Sequence, residues 1–475
     1  MIRLTRSVLF FWILVATILT ASAAEIQPVK YVFLFIGDGM SFPQRQLAEE
    51  YLQKTEKRGL RINAMPYQAI TTTHAANAFI TESAAAGTAI ACGVKTNNGM
   101  IGVAPNGDRI ESIAEVAQRN GRKVGIISSV TINHATPAAF YAHNASRDNY
   151  YEIGLDLFAS GFDYFGGGGV DRNNDTGASA YRGNIYDLAK EARYTVARTE
   201  TEIRALKPGV GKVLATGNAA ALVYAMDSDN AGVRLPDFTK QAIELLDNPD
   251  GFFIMIEGGK IDWACHNNDG AATVFDIIEL DNAVGVAYDF AEKHPNEVLI
   301  VVTGDHETGA LTLKNPINVN LLANQKSSYD LLPSLVRRAL RDNGEEGTFD
   351  QVKPFITEMC GLVFSDTERP RAGNLVLTAA EVQELEAAFA TSRAAVLVNE
   401  SEGRDLLAKT MMRVLNNKSG LFWNSTDHSG LPVNTSTWGN QAQQVAGGIR
   451  ENMDIAKQLK QAVGPLSTRR VAIAP

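Results

Sequence analysis

Acidic and imidazole side chains of this 475-residue chain follow short apolar segments at widely separated positions. Asp38 lies in FIGDGM, Glu257 opens EGGKIDWACH, and Asp305 with His306 lies in TGDHETG. Carboxylates that are brought close together repel one another unless a cation neutralises them, and imidazoles among carboxylates are usual zinc ligands. If the fold brings these residues together, they predict a site for more than one metal ion.

The chain has only seven histidines, and four of them lie in polar motifs of this kind. Asp262 and His266 are four residues apart, so one helical turn would place both side chains on the same helix face. A single histidine is more often a satisfied core or surface residue, whereas the set as a whole favours a metal site. The four histidines are His134, His266, His306 and His428.

Ser83, in FITESAAAGTAIACG, precedes a run of small residues that predicts a helix. A serine at a helix N-terminus is most often a cap. The alternative is a nucleophile, because N–H groups and the helix dipole attract an anion there and a metal would lower the pKa of the hydroxyl. Arg147, in HNASRDN, offers two parallel donors that suit a phosphate group, although a lone arginine is usually an ordinary surface residue.

Alternating strand and helix patterns must position these residues. Continuous apolar runs typical of strands buried on both faces occur at 31–36, 124–129, 252–257 and 298–303. Helical patterns lie between them at 109–119, 236–246 and 271–292. This alternation predicts an α/β fold with a doubly wound, mostly parallel central sheet and helices on both faces. The carboxyl ends of parallel strands share one edge, so the polar residues that follow the strands should converge there.

Two regions interrupt the alternation. Four glycines at 166–169 predict a flexible turn, and no helix-start signal follows that would make them a phosphate loop. Residues 311–420 are polar and largely helical, as at 376–397. We predict that they form a helical insertion between the last core strands, and that residues 25–475 form a single α/β domain.

Residues 1–24 have the pattern of a cleaved signal peptide, with two arginines, an apolar core and an A-x-A signal. A membrane anchor is disfavoured because the apolar core is short for a bilayer, which needs about 20 residues. We therefore predict a periplasmic or secreted protein with no membrane contact after cleavage. The formal net charge of −9 and the lack of a basic run argue against a nucleic-acid partner.

The three cysteines, Cys92, Cys265 and Cys360, are odd in number. In an oxidising compartment at least one of them cannot pair within the chain. Cys92 and Cys265 have no histidine at a useful spacing, so we interpret them as buried packing residues rather than nucleophiles.

Six motifs of the chain resemble those of the alkaline phosphatase family and occur in the family's order between about residues 30 and 445. They are GDGM, TESAAAGTA, HATPAA, EGGKIDWxxH, TGDHETG and DHSG. Each motif is weakly specific alone, but the ordered set is highly specific. The resemblance implies an exported hydrolase of small-molecule phosphate monoesters, with a phosphoseryl intermediate, an alkaline optimum and a broad substrate range. It also implies two Zn²⁺ and one Mg²⁺ as cofactors, and family members are commonly homodimers.

The resemblance assigns roles to individual residues. Ser83 is similar to the nucleophile, and Arg147 to the phosphate clamp. Residues similar to the ligands of the first zinc, which activates the hydrolytic water, are Asp262, His266 and His428. Those similar to the ligands of the second zinc, which binds the serine alkoxide, are Asp38, Asp305 and His306. Those similar to the magnesium ligands are Asp38, Thr136 and Glu257.

Three residues depart from the family pattern. Glu82 replaces the usual Asp before the nucleophile, which predicts a longer and looser support of Arg147. His134 stands where the best-known bacterial members have Asp, so an imidazole could ligate the third metal or shift its identity toward zinc or cobalt. Trp263 replaces a Lys or His near the phosphate, which predicts weaker binding of product phosphate.

Two other functions stay open on the sequence. One is a two-zinc phosphodiesterase or nucleotide pyrophosphatase, and the other is an exported protein that only binds metal or phosphate. Thr136 and Glu257 favour the monoesterase, because the phosphodiesterase relatives generally lack them. Ser83 argues against a pure binding protein, which needs no nucleophile.

Overall fold

A ten-stranded sheet forms the centre of the computed structural model, which describes residues 29–466 apart from 218–219, 229–231, 345 and 365–374. The predicted signal peptide, residues 1–24, lies outside the described residues. The strands of this sheet are β1 (Tyr31–Gly37), β2 (Tyr67–Thr72), β3 (Lys123–Ser128), β4 (Tyr164–Gly167), β5 (Tyr194–Ala197), β6 (Lys212–Thr216), β7 (Phe252–Gly258), β8 (Val298–Gly304), β13 (Val433–Gly439) and β14 (Gly448–Glu451). The other described strands form two short ribbons and are β9 (Glu307–Thr308), β10 (Leu311–Leu313), β11 (Leu421–Trp423) and β12 (His428–Ser429).

The sheet has the strand order β14-β2-β13-β8-β1-β7-β3-β4-β6-β5. Only β13 is antiparallel to its neighbours in this sheet, β2 and β8. Alternate residues of β1 enter two different apolar clusters, Val32 and Leu34 on one face and Phe33 and Phe35 on the other. The sheet is therefore buried on both faces, which confirms the predicted fold class and explains why its central strands are apolar at every position.

Helices cover both faces of this sheet. The described α-helices are Phe42–Thr55, Ser83–Cys92, Ile113–Arg119, Ala135–Ala138, Tyr150–Ala159, Ile185–Glu191, Glu200–Ala205, Leu235–Leu246, Lys260–His266, Gly270–Ala291, Leu332–Asp342, Phe349–Cys360, Ala379–Leu397, Leu406–Ser419, Ala442–Val445 and Asn452–Ala462. The three predicted helices are present. The first of them begins later than predicted because Ser112 caps it, in a capping box with Glu115.

None of the helices in the described part of the chain is both long and apolar enough to span a bilayer.

The flexible turn predicted at 166–169 is wrong in its first half. Gly166 and Gly167 end β4, which lies between β3 and β6 in the sheet. Gly167 has a φ of +117°, and a Cβ at this position would lie 1.9 Å from the carbonyl oxygen of Ser128. Gly167 therefore allows close approach of two backbones inside the sheet, where the sequence had predicted a free turn.

Residues 311–420 are bracketed by a two-stranded antiparallel ribbon, in which β10 pairs with β11. Among the described residues between them, four helices surround an apolar cluster of their own, separate from the clusters on the sheet. Its fully buried members include Ile356, Leu385 and Leu415. The division of the chain into one domain with an insertion stays a prediction.

Candidate metal centre

The register of the central strands places the candidate ligands at one edge of the sheet. Gly37, at the end of β1, pairs with Gly258 of β7 and with Gly304 of β8, so the three strands end at the same level. Asp38 and Asp305 follow directly, and Glu257 lies one residue before the end of β7. All three carboxylates are completely buried.

Three groups of buried or half-buried acidic and imidazole side chains are close enough to hold metal ions. Within each group, one ligand atom from each residue lies within 4.8 Å of the others. The groups are Asp262, His306 and His428; Asp38, Asp305 and His306; and Asp38, His134 and Glu257. The second group is the set predicted for the second zinc, and the third includes His134 beside two of the predicted magnesium ligands.

His266 and Thr136 lie next to these groups. His266 ends the helix Lys260–His266, and its Nε2 lies 3.3 Å from Asp262 Oδ2 and 3.1 Å from His428 Nε2. The helical spacing therefore places Asp262 and His266 on the same face, as predicted. Thr136 Oγ1 donates to Asp38 Oδ2 at 3.3 Å. The structure thus brings all nine predicted metal ligands together.

Several ligand atoms of the site have no hydrogen-bond partner although they are buried. They are Asp38 Oδ1, His134 Nδ1, Glu257 Oε1 and Asp305 Oδ2. Buried polar atoms are nearly always paired, because leaving one unpaired costs free energy. Clustered carboxylate oxygens and imidazole nitrogens are suitable donors for divalent cations. The residues present therefore fit metal ions.

Burial and mutual repulsion raise the pKa values of three carboxyls. Burial followed by the charge of Asp305 raises the pKa of Asp38 well above its usual value. Burial, with Asp262 next, raises the pKa of Asp305 to about 8. Burial raises the pKa of Glu257 to about 7, against hydrogen bonds such as that from Ser128. Without cations, burial and repulsion therefore favour the protonated form of these carboxyls at pH values where a free carboxyl is fully ionised.

Asp262 differs from these carboxyls because histidines surround it. Burial opposes its ionisation, but the hydrogen bond with His266 and the charges of His306, His266 and His428 hold the pKa of Asp262 below its usual value. The same hydrogen bond raises the pKa of His266 to about 9. Burial lowers the pKa of His134 to about 3, and the nearby Arg147 adds to this effect. His134 is therefore a neutral imidazole, the form that ligates metals.

Ser83 is the first residue of the helix Ser83–Cys92, and it is buried. It is not the cap of this helix, because Glu82 occupies that position and accepts from the N–H groups of Ala84 and Ala85. Ser83 Oγ lies 3.3 Å from His306 Nε2. The hydroxyl therefore lies beside the second metal group, at the positive end of a helix dipole.

Glu82 fixes Arg147 beside the serine. The Glu82 carboxylate accepts from three backbone N–H groups, those of Ala84, Ala85 and Gly99, and also contacts Nη1 of Arg147. The expected looser support of Arg147 is wrong, because the longer side chain is held at both oxygens. The other terminal nitrogen, Nη2 of Arg147, lies 3.1 Å from His134 Nε2.

Trp263 is half-buried, and its ring lies edge-to-face against His134, with the centroids 6.1 Å apart. The buried Lys260 ammonium lies 4.8 Å from the Trp263 ring and donates to Asp330 at 2.9 Å. The Lys260 ammonium is therefore a cation next to the Trp263 ring, but it is paired with the carboxylate of Asp330 from the 311–420 segment. Weaker binding of phosphate because of Trp263 stays a prediction.

The sequence analysis missed two residues that orient the ligands. The completely buried Glu307 accepts from Gln44 Nε2 at 2.6 Å and from the Ser429 hydroxyl, so it ties the segment after β1 to the strand that carries His428. Thr308 Oγ1 donates to Asp262 Oδ1 at 2.5 Å. Both lie in TGDHETG, where an acid directly after two ligands was the available signal.

All three cysteines are buried and free. Burial raises the pKa of the Cys92 thiol to about 12, and it also raises the pKa of Cys265. Since the thiolate is the nucleophilic form, neither side chain is suited to nucleophilic catalysis.

Comparison with known proteins gives the family. The sequence model of the alkaline phosphatase family matches residues 29–163 and 168–464 of this chain. Alkaline phosphatase 4 of Bacillus subtilis is 32% identical over 375 residues, which cover 78% of this chain and 73% of that protein. Alkaline phosphatase 3 of the same organism is 28% identical over 451 residues, 92% of this chain and 89% of that protein. The chain belongs to the alkaline phosphatase family.

Solved structures agree with this fold. The cold-active alkaline phosphatase from Shewanella sp. has a TM-score of 0.75 at 24% identity and covers 91% of this chain and 99% of its own. The alkaline phosphatase from Thermus thermophilus has a TM-score of 0.74 at 24% identity, with 93% and 94% covered. Family and site together define a metal-dependent phosphomonoesterase that acts on small-molecule phosphate esters. The phosphodiesterase and the pure binding protein are thereby set aside.

The raised carboxyl pKa values predict how the stability of the metal-free protein depends on pH. Asp305 and Glu257 keep protons in the folded state that the unfolded chain releases, so their contribution is full below about pH 4 and is lost as pH rises to about 8. Below about pH 6.5 the lowered pKa values of His134 and His306 oppose this change, because the unfolded chain binds protons there that the folded state does not. The melting temperature in chelator should therefore fall from about pH 6.5 to about pH 8, and Asp305→Asn should flatten the fall. Calorimetry at several pH values tests this. A chelated wild-type protein whose melting temperature is constant or rises over this interval would contradict it.

Glu307→Gln should weaken metal binding without changing any ligand. The amide has one oxygen in place of two, so it cannot accept from Gln44 and from Ser429 at separate oxygens, and the strand that carries His428 loses its charged tie to Gln44. Losing a group that orients ligands typically costs 10- to 100-fold in metal affinity. Zinc titration should show this loss, and excess zinc should restore turnover. Glu49→Gln is the matched control, because Glu49 accepts the backbone N–H of Leu60 away from the site, as Glu307 accepts that of Leu311. Equal zinc affinities of the two variants would refute the role.

Proposed function

We propose that this enzyme hydrolyses phosphate monoesters through a phosphoseryl intermediate on Ser83, with two Zn²⁺ and one Mg²⁺ as cofactors. The observation that carries the proposal is the position of Ser83. Its hydroxyl lies at a helix N-terminus, 3.3 Å from His306, where two of the metal groups share that histidine. A protein that only bound metal would need no hydroxyl at this place.

The proposed ligands follow the family resemblance, and each set shares at least two residues with one of the three groups in the structure. Asp262, His266 and His428 would hold the first zinc, and Asp38, Asp305 and His306 the second. Asp38, Thr136 and Glu257 would hold magnesium. When bound, two close zinc ions stabilise the charge on the attacking and leaving oxygens of an in-line displacement.

The chain's own residues make and break the bonds. A bond forms between Ser83 Oγ and phosphorus while the bond from phosphorus to the ester oxygen breaks, and the alcohol leaves with a proton. Water then attacks phosphorus, phosphate leaves, and Ser83 regains its hydroxyl proton. The position of Ser83 on a rigid helix fixes the direction of attack, which matters because phosphoryl transfer is catalysed mainly by positioning and charge.

Arg147 is proposed to bind the phosphate oxygens. Its Nη1 is held by Glu82, so Nη2 is the donor that can turn to the substrate. In this structure Nη2 contacts His134, and a phosphate oxygen would replace the imidazole as its partner. Binding of phosphate and the arrangement of the third metal group are therefore coupled through one guanidinium.

The identity of the third metal is the least constrained by the donor set. Thr136 and Glu257 supply oxygen donors, which magnesium prefers, while His134 adds a nitrogen that also suits zinc or cobalt. A variant of the alkaline phosphatase from the Antarctic bacterium TAB5, in which an aspartate replaces a histidine, was solved with Mg bound in its M3 site and has a TM-score of 0.63 to this chain. For this chain, which has a histidine in its third group, we propose magnesium because of the oxygen donors of Asp38, Thr136 and Glu257.

Further properties are proposed from the family resemblance and from the N-terminal sequence. They are export with removal of residues 1–24, a periplasmic or secreted location, an alkaline optimum, a broad substrate range and a homodimeric state. Mass spectrometry of the exported protein, which should begin near residue 25, tests the first of these.

Ser83→Ala should remove the covalent route and leave the metals in place. Turnover of an aryl phosphate should fall by at least about two orders of magnitude, with residual activity from water attack, and zinc content should not change. Rapid quenching with a ³²P-labelled ester should label the wild-type protein and not the variant. Most of the activity surviving in the variant would rule out Ser83 as the nucleophile.

Glu257→Gln should affect magnesium more than zinc. The substitution removes a charged oxygen donor from the third group only, so stimulation of the zinc-loaded enzyme by magnesium should decrease while zinc stoichiometry stays unchanged. Metal analysis after gel filtration, combined with activity against added magnesium, tests this. Loss of both zinc ions before any change in the magnesium response would show that the third group is assigned wrongly.

A further inference from the structure

A cavity of about 450 Å³ adjoins the first metal group. His266 and Thr426 form one wall, and Thr426 accepts a hydrogen bond from His266 Nδ1 at 2.5 Å through its carbonyl oxygen. The opposite wall is one face of the helix Leu406–Ser419, which belongs to the 311–420 segment. The volume is in the range of small-molecule sites, and the mechanism proposed above uses none of the residues of this helix.

The charge on the cavity wall comes mainly from Lys409. It lies one turn before Arg413 on the same helix face, and both line the cavity. The guanidinium of Arg413 is paired with Glu384. Within the described part of the chain, Lys409 has no ion pair, and its ammonium contacts only the ring of Tyr329, at 5.7 Å. The cavity therefore presents one uncompensated positive charge.

The remaining wall combines a buried amide side chain with an aromatic side chain. Asn416 is 2% exposed, and its Oδ1 has no hydrogen-bond partner, although its Nδ2 donates to the carbonyl oxygen of Asn268. Trp423 also lines the cavity, and its buried Nε1 has no acceptor. An aromatic face next to a cation suits a planar group that carries a negative charge.

A series of contacts through His306 and His428 connects Ser83 to His266, which lines the cavity. From Ser83 Oγ the contacts run to His306 at 3.3 Å, from its ring to the His428 ring with centroids 3.7 Å apart, and from His428 to His266 at 3.1 Å. The cavity begins at His266. In an in-line displacement the leaving oxygen is opposite the attacking one, so the alcohol part of the ester points away from Ser83 and toward this end of the site.

We propose that this cavity binds the leaving group of the substrate and favours phosphate monoesters whose alcohol part is a planar ring with a second anionic group. Lys409 binds the anion, and Trp423 contacts the ring. The inference rests on the proposed attack by Ser83, which sets the direction of the leaving group. It makes the helical segment 311–420 a determinant of specificity, in addition to any structural role.

The test compares two esters that differ in one charge. The ratio of kcat/KM for 4-carboxyphenyl phosphate to that for phenyl phosphate is measured in the zinc- and magnesium-loaded wild type, in Lys409→Gln and in Lys409→Glu. Lys326→Gln is the matched control, because Lys326 is an exposed lysine of the same segment that does not line the cavity. Comparing ratios between variants cancels the different intrinsic reactivity of the two esters.

Lys409→Gln should lower the ratio three- to fivefold, Lys409→Glu should lower it further, and the control should leave it unchanged. Phenyl phosphate turnover should be the same in all four proteins. Lys409→Glu should also improve kcat/KM for phosphocholine, whose leaving group carries a cation.

Equal ratios in wild type, Lys409→Gln and Lys409→Glu would overturn the proposal, and so would an equal loss for both aryl esters. Failure of the proposed function gives a different result, since the wild type would then turn over neither ester or would form no phosphoserine. If the enzyme forms phosphoserine but the ratio of kcat/KM does not change on substitution of Lys409, only the assignment of the cavity is refuted.

Discussion

Repulsion between buried carboxylates is the constraint on which the site depends. Asp38, Glu257, Asp262 and Asp305 are brought into one buried region with few compensating cations of the chain itself. The register of the central strands places three of them, and hydrogen bonds then hold individual oxygens, as from Gly39 N–H to Asp305 and from Thr308 to Asp262. The scaffold thus keeps in place a charge arrangement that only bound cations make favourable.

A second arrangement depends on the first. Ser83 and Arg147 are held at the edge of the acidic region by a single carboxylate, that of Glu82, which caps the helix and pairs with the guanidinium. This carboxylate satisfies N–H groups that would otherwise attract a free anion, so phosphate is not bound by the helix end alone. In the proposed mechanism, phosphate binding is therefore left to the metal ions and to Nη2 of Arg147, the nitrogen that Glu82 does not hold.

The sequence predicted those parts of the site that depend on local pattern. Apolar strands and the four-residue spacing of Asp262 and His266 are local signals, and strand ends in a parallel sheet converge whatever the distance along the chain. The hydrogen-bond partners of Glu307 could not be predicted in this way, because Gln44 and Ser429 are 263 and 122 residues away. The turn predicted at Gly167 is wrong because the sequence does not distinguish a glycine that two close backbones require from a glycine in a flexible turn. The support of Arg147 by Glu82 could not be predicted either, because it depends on the positions of three backbone N–H groups that donate to Glu82, and residue spacing does not determine these positions.

The ribbon of β10 with β11 has a consequence for the length of the chain between them. It brings residues 311 and 423 together before His428 is reached, so the position of this candidate ligand is set by the ribbon and by the pairing of β9 with β12 rather than by the helices. The entropy of closing a flexible loop grows slowly with its length, by about 0.6 kcal/mol per doubling. Relatives can therefore lengthen, shorten or replace the helical segment at little thermodynamic cost, and change what surrounds the substrate while the chemistry beneath it stays the same.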